Sequence, residues 1–266
     1  MKDTIAIIGA GVIGGSVVKS LLKSGYEGKI IVAEIMPEKT KELEQLGVSV
    51  TTNNRDAARE ADIVFLSVKP NVLKTVLKEV SREVEGKLVV STAAAVNVKF
   101  CKRVVPKARC VRIMPNVAIM VQESFTAYCC DDDVTKEDKK KIEHILVAMG
   151  RSMEIDECYM DAVTAVSGSG PGYLSIIIEA LAYGGLKVGL PRDLALTCAA
   201  QAVLGTAKLV LETEQSPAQI RDSVTTPGGT TIEAIYEVEG SEVRQALMRA
   251  VEAATKKSEK IRKQWE

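Results

Sequence analysis

The sequence predicts an α/β domain built on a doubly wound sheet, followed by an all-α domain. Three observations carry this expectation. The chain opens on a short apolar run, Ile5–Ile8, followed at once by Gly9, Gly11 and Gly14. Apolar strand-like runs then alternate with helical patterns through about residue 155, the rhythm of a parallel sheet wrapped on both faces. From about Asp156 the strand signals stop and long helical patterns take over. The expected division is therefore residues 1–156 and residues 157–266.

Each element has its own signal. Ile5–Ile8 reads as a buried strand. The segment after the glycines, with Val17, Val18, Leu21 and Leu22 on one face, reads as a helix. Lys29–Ala33 is a second strand ending at Glu34. Pro37 suits the first turn of a helix through about Leu46, and Val48–Val50 is a short strand. Asp62–Ser67, Lys87–Ser91 and Arg109–Ile113 are further strands, with Pro70 opening one helix and Val98–Val105 forming another. Ser124–Cys130 and Arg151–Ile155 read as added edge strands, with a helix over Lys136–Met149 between them. In the second half, helices are expected at Pro171–Val188, Arg192–Leu211, Ser216–Val224, Thr230–Val238 and Glu242–Trp265. Alanine and glycine are frequent in the first two, which permits close helix approach within a chain or between subunits.

Composition narrows the function classes. Lys plus Arg and Asp plus Glu both number 35, so no net charge draws the chain to nucleic acid or an anionic membrane. Met1-Lys2-Asp3 leads straight into the first strand, so no signal peptide is expected. The most apolar stretch, Leu174–Leu190, is interrupted by Glu179 and Lys187, so no membrane span is expected either. The six cysteines form no CxxC pair and read as small buried thiols in a reducing cytoplasm, with no metal site. Cys129 and Cys130, adjacent on a strand, point to opposite faces.

The glycine turn carries the first functional expectation. Its G-x-G-x-x-G spacing between strand and helix fits a diphosphate laid on bare backbone at a helix N-terminus, a Rossmann-like dinucleotide site. A glycine-rich turn without ligand is the plain alternative. Glu34 ends the second strand about twenty residues on, where a carboxylate accepts hydrogen bonds from both adenosine ribose hydroxyls and repels a 2′-phosphate. It favours NADH over NADPH, although Lys39 and Lys41 on the following helix are placed to serve a phosphate. Ser67-Val68-Lys69-Pro70, Ala93-Ala94-Ala95 and Met114-Pro115-Asn116 follow later strands on the side where such sheets bind ligands. Lys69 reads equally as a surface lysine and Asn116 as a turn residue.

Two stretches of the second half stand apart: Val166–Tyr173 (VSGSGPGY) and Asp222–Ile232 (DSVTTPGGTTI). Together with SVKP and MPN they closely resemble the pyrroline-5-carboxylate reductase family, from about Ile5 to at least Lys257. The resemblance implies nicotinamide-dependent reduction of a cyclic imine to L-proline, and a helical second domain that dimerises, with dimers assembling into rings. It implies cofactor contacts at Ile8, Gly9, Ala10, Gly11, Val12, Ile13, Glu34, Asn54, Ser67–Pro70 and Ala93–Ala95. It implies a substrate loop at Thr226, Gly228, Gly229, Thr230 and Thr231. The chain departs from the family's usual pattern at Ala95, where AAG is common, at Val117-Ala118, where MPNTP is common, and at Glu34, where Ser or Thr is common.

The loop also makes sense on its own residues. Two glycines before a helix expose N–H groups to a small anion such as an α-carboxylate, and the threonines add hydroxyls. A glycine-rich turn with threonine caps is the bland equivalent. Reducing a C=N bond needs little acid–base machinery, which agrees with a single histidine, His144, outside any motif. Thr231 is the expected donor to the ring nitrogen. A 3-hydroxyacid dehydrogenase would use a lysine after the Gly-rich helix start, and SGSGPGYLSIII has none. The same residues are compatible with a reductase of a related cyclic imine and with a non-enzymatic nicotinamide-sensing module.

Overall fold

The computed structural model describes residues 2–265. The chain divides into two compact units. One runs to Ser169 and takes in the residues from Ala253 on; the other is Gly170–Glu252. The division comes later than the change of texture at Asp156, and the end of the last helix belongs with the first unit.

The first unit holds one eight-stranded sheet. Its strands are β1 (Ile5–Ile8), β2 (Ile30–Ala33), β3 (Ser49–Thr51), β4 (Ile63–Leu66), β5 (Leu88–Ser91), β6 (Arg109–Met114), β7 (Ser124–Cys130) and β8 (Gly150–Glu154). They lie in the order β3-β2-β1-β4-β5-β6-β7-β8. The unit's helices are α1 (Val12–Lys23), α2 (Lys41–Gln45), α3 (Asn54–Glu60), α4 (Pro70–Glu79), α5 (Val98–Val104), α6 (Lys136–Val147) and α7 (Met160–Val163). Every residue of β1, β2, β4 and β5 is buried, because both faces of the sheet are covered. Ile5 and Ile7 enter one core with Val17 and Leu21 of α1 and Ile142 and Ile145 of α6. Ala6 and Ile8 enter the other with Ala57 of α3, Leu73 and Leu77 of α4, and Phe100 of α5. The period-2 alternation of one four-residue strand thus feeds two cores.

The chain winds outward from β1 in both directions, so its course reverses between β1 and β4. In open sheets of this order, ligands bind at the carboxyl ends of the strands beside that reversal.

Several expectations change. The helix from Pro37 to Leu46 is broken into a 3-10 turn, Pro37–Lys39, and α2, with Thr40 between them donating its hydroxyl to the Pro37 carbonyl at 3.0 Å. The helix α3, capped by Asn53, was not foreseen. Residues 124–130 are not an edge: β7 pairs antiparallel with β6 and parallel with β8, which is the edge strand. After α7 the helix widens into a π-turn, Thr164–Gly168, closed by Ser169 N–H donating to the Thr164 carbonyl at 2.8 Å.

The second unit is helical: α8 (Gly170–Lys187), α9 (Arg192–Thr213), α10 (Pro217–Ser223), α11 (Thr230–Glu239) and the first half of α12 (Val243–Arg262). Of the 18 residues of α8 only Gly170 and Ala182 are buried; of the 22 of α9 only Ala195 and Ala199. Contrary to the hydropathy reading, α9 is long and apolar enough by length and composition to cross a membrane.

Candidate active site

The glycine turn is built by close approach. Gly9 has φ +98°, and a Cβ there would lie 2.8 Å from the Ser67 carbonyl oxygen. A Cβ on Gly14 would overlap the Gly9 carbonyl oxygen, so α1 lies against the turn only because Gly14 lacks one. Gly11 differs: a Cβ there would meet nothing within 4 Å, and the bare backbone faces open space where α1 begins. Ser67 N–H donates to the Ile8 carbonyl and Gly9 N–H to the Ala33 carbonyl, both at 2.8 Å, so the ends of β1, β2 and β4 are stitched together. The Ser67 hydroxyl is buried with no partner among the described residues. Ile8, Ala10 and Gly14 are buried, whereas Val12 is exposed.

Glu34 is buried at the end of β2. One carboxylate oxygen accepts from Ala10 N–H at 2.9 Å and the other from Met36 N–H at 3.1 Å. A negative charge is thereby fixed beside the glycine turn, with Ile35 exposed next to it. These are the features a dinucleotide needs: an open Gly11 backbone, a helix N-terminus and a ribose-side carboxylate.

Val68, Lys69 and Pro70 carry the chain from β4 into α4, and Lys69 is exposed. After β5, Ala93 and Ala95 are buried and Ala94 is half-buried. Ala95 adopts φ +61°, the left-handed region, at the position where the resemblance leads one to expect glycine. Ile8–Gly14, Glu34, Ser67–Pro70 and Ala93–Ala95 therefore gather at the carboxyl ends of β1, β2, β4 and β5.

Two expected cofactor residues have other engagements. Asn54 opens α3, and its Nδ2 donates to Glu79 Oε2 at 2.9 Å. Asn116 is used at both ends of its amide. Its Oδ1 accepts from Ala118 N–H at 2.9 Å, and its Nδ2 donates to the Ser167 carbonyl at 3.1 Å. Ser167 donates its hydroxyl to the Phe125 carbonyl at 3.2 Å. The SGSG stretch is thus anchored on β7 and the loop after β6.

The second unit carries the other motif. Gly228 has φ +68°, and Gly229 is the extended N-cap of α11. The Gly229 amide is not bare as expected: it donates to the Thr226 carbonyl at 3.0 Å and closes a turn. The open donors are the first-turn amides of α11 at Thr230 and Thr231. The hydroxyls of Thr226, Thr230 and Thr231 have no partner among the described residues. Thr231 is half-buried and Thr230 exposed.

Reasoning from sequence passed over Arg112. It is 1% exposed on β6, and its Nη1 reaches Glu157 Oε1 at 3.3 Å. The signal was a cation inside RCVRIM, a run otherwise fit for a doubly covered strand. Cys129 and Cys130 fall as expected on opposite sheet faces, one in one core and the other against the second, whereas Cys158 and Cys198 are exposed and not buried as expected. Burial pushes the Cys101 and Cys130 thiols up to about 12, so both stay protonated at neutral pH. His144 is exposed on α6. Among the described residues no group of three or more His, Cys, Asp or Glu is placed to hold a metal.

Comparison with known proteins follows the two halves. Residues 4–95 match the family described as NADP oxidoreductase, coenzyme F420-dependent; residues 157–261 match pyrroline-5-carboxylate reductase dimerisation. Fold and cradle define a nicotinamide-nucleotide oxidoreductase with a dimerising helical half. The chain is 38% identical over 261 residues to a pyrroline-5-carboxylate reductase of Pisum sativum, covering 97% of this chain and 96% of that one. A solved pyrroline-5-carboxylate reductase of Coxiella burnetii superposes with TM-score 0.92 at 34% identity, covering 98% of this chain and 99% of that one. A Plasmodium falciparum pyrroline carboxylate reductase with NADP bound gives TM-score 0.88 at 28% identity, covering 98% of each chain. This chain belongs to the pyrroline-5-carboxylate reductase family. The apolar surface of α9 lies within the dimerisation match.

Proposed function

We propose that the chain reduces the C=N bond of 1-pyrroline-5-carboxylate to give L-proline. The likeness to pyrroline-5-carboxylate reductases over 97% of the chain carries this reading. The nicotinamide supplies the hydride when bound. The Gly9–Gly14 turn and the Ser67 hydroxyl hold the diphosphate half, and Ala93–Ala95 give a backbone wall without bulky side chains. The amides of Thr230 and Thr231, at the N-terminus of α11, hold the substrate carboxylate. The Thr231 hydroxyl donates a hydrogen bond to the ring nitrogen. As the imine carbon gains hydride the nitrogen gains a proton, relayed from solvent through that hydroxyl. Positioning and exclusion of water supply most of the barrier reduction.

NADH is the preferred donor. The Glu34 carboxylate, held by Ala10 and Met36 amides, accepts the ribose hydroxyls and opposes a 2′-phosphate, and its neighbour Ile35 offers no cation. Steady-state oxidation of NADH and of NADPH by pyrroline-5-carboxylate tests both statements. Turnover with neither cofactor rejects the function. A lower KM for NADPH than for NADH rejects the preference alone.

A further inference from the structure

The turn from Thr92 to Asn97 is pinned at both ends. At its start the Thr92 amide and hydroxyl both donate to the Leu66 carbonyl of β4, at 3.1 and 3.4 Å. At its end Val98 N–H, the first of α5, donates to Glu157 Oε1 at 2.7 Å. Glu157 lies far along the chain and is held in turn by Arg112, the β6 partner of Ser91 in the sheet register. Between the two pins Ala95 is buried in the left-handed region, a conformation that persists in a non-glycine residue only where its surroundings over-determine it.

Arg112 is an expensive way to build a core. Its Nε and Nη2 are buried with no partner among the described residues, and its bond to Glu157 is long. A buried pair of this kind is often replaced by apolar side chains without loss of stability. Its position explains its use better than its energetics do. It is paired in register with Ser91, the residue that precedes the turn, and reaches the turn's far end through Glu157 and the Val98 amide.

We infer that Arg112 and Glu157 are positioning residues that buttress the Thr92–Asn97 turn and thereby set affinity for the nicotinamide cofactor. This rests on the proposal that Ala93–Ala95 line the nicotinamide site. Neither residue is a catalytic group. Glu157 holds the Val98 amide, Arg112 holds Glu157, and the turn between the pins keeps its left-handed bend.

The test separates positioning from folding. Cofactor Kd is titrated by NADH fluorescence in Glu157→Gln, Glu157→Ala and Arg112→Met, with KM for both substrates and Tm. Glu157→Gln keeps an acceptor for Val98 N–H and should bind cofactor within about twofold of wild type, while Glu157→Ala should bind about tenfold more weakly, the scale of one lost charged acceptor. Arg112→Met should weaken cofactor binding about three- to tenfold; because it leaves Glu157 without its cation it should also lower Tm, so binding is read well below the melting range. KM for the imine acid should stay within about twofold throughout, measured at saturating cofactor. Equal cofactor Kd in Glu157→Ala and wild type overturns the inference. So does an equal loss in Glu157→Gln and Glu157→Ala. Ala94→Leu tests the underlying reading by itself. If it leaves cofactor Kd unchanged, the turn does not line the site; if it abolishes binding while Glu157→Ala does not, the buttress alone is wrong.

Discussion

The two compact units solve the burial problem in opposite ways. The sheet unit covers every residue of four strands with its own helices and keeps two separate cores. The helical unit leaves α11 without a single buried residue and buries two of the 22 residues of α9. Leu204, Leu209, Leu211 and Tyr236 are all more than two-fifths exposed in one chain. Apolar helices of this length do not remain in water. The lesson is that the first unit is a domain in the energetic sense, and the second becomes one when another copy covers it. Membership in a dimerisation family says the same from the other side.

The largest effect that would break this comparison is expected on α9. Leu204→Glu with Leu211→Glu removes two apolar side chains from the contact and adds two charges. Each buried leucine contributes about 1.5–3 kcal/mol, so subunit affinity should fall by about a thousandfold or more. Sedimentation equilibrium at micromolar concentration reads it. A variant that still associates like wild type would mean that this face of α9 is not what the second copy covers.

Next in size is Gly14→Ala in the sheet unit. Here the demand for glycine is internal, because the added Cβ would overlap the Gly9 carbonyl. α1 must move off the turn, and cofactor Kd should rise about a hundredfold, the cost of misplacing a site by about an ångström. Subunit association should not change. Unaltered cofactor binding would show that the close approach of α1 is not needed for the site.

Third is Trp265→Ala, which tests whether the end of α12 belongs to the sheet unit. The indole meets Phe100 of α5 edge-on, with centroids 5.2 Å apart, and the Trp265 carbonyl accepts from Arg103 at 2.9 Å. Nearby, the buried Asp161 accepts from Ser258 Oγ at 2.6 Å and Arg262 Nε at 2.7 Å. Removing the half-buried indole should cost about 2 kcal/mol of stability in thermal melts, with no dependence on protein concentration beyond that of wild type.

How much of this was legible follows from where each interaction closes. The glycine turn, β1 and the place of Glu34 at the end of β2 were legible because β1, α1 and β2 follow one another along the chain, although Gly9 also packs against Ser67 after β4. The antiparallel course of β7 against β6 was not, because alternation of side chains encodes faces and not strand polarity. Asn116 stayed open between cofactor contact and turn residue because nothing in MPN announces that its amide reaches Ser167, 51 residues away. The Gly229 amide looked free because a turn to Thr226 leaves no mark in TTPGG. Arg112 was visible as a charge in an apolar strand, but only its Glu157 partner gives that charge a meaning. The bare apolar surface of α9 was not legible, because its alanines permit close packing within one chain and between subunits alike.

A smaller effect tests the claim of self-sufficiency through pH. Asp138 at the start of α6 is buried, which by itself would raise its pKa. Thr135, through its hydroxyl and amide, and Arg109 override this and hold it below the usual carboxylate range. A carboxyl depressed on folding stabilises above its unfolded value of about 4 and loses that contribution as pH falls through its folded value. Asp138→Ala should therefore lower stability by about 1–2 kcal/mol at pH 7, and the gap to wild type should narrow below about pH 4. A gap that is constant from pH 7 to 3 would assign the loss to packing.

The smallest effect has the most informative sign. Gly205 lies inside α9, and within one chain an added Cβ would meet nothing within 4 Å. In an isolated helix Gly→Ala is stabilising by about 0.8–1 kcal/mol, because alanine loses less backbone entropy and shields the helix. If only this chain touched Gly205, Gly205→Ala would raise Tm. If the second copy packs its backbone against that glycine, the same methyl is an obstruction, and both Tm and subunit affinity should fall. We expect the fall, because α9 lies in the dimerisation match and a single chain leaves its apolar face bare. The contrast with Gly14 is then complete: one glycine answers to a carbonyl of its own chain, the other to a neighbour that a single chain cannot display.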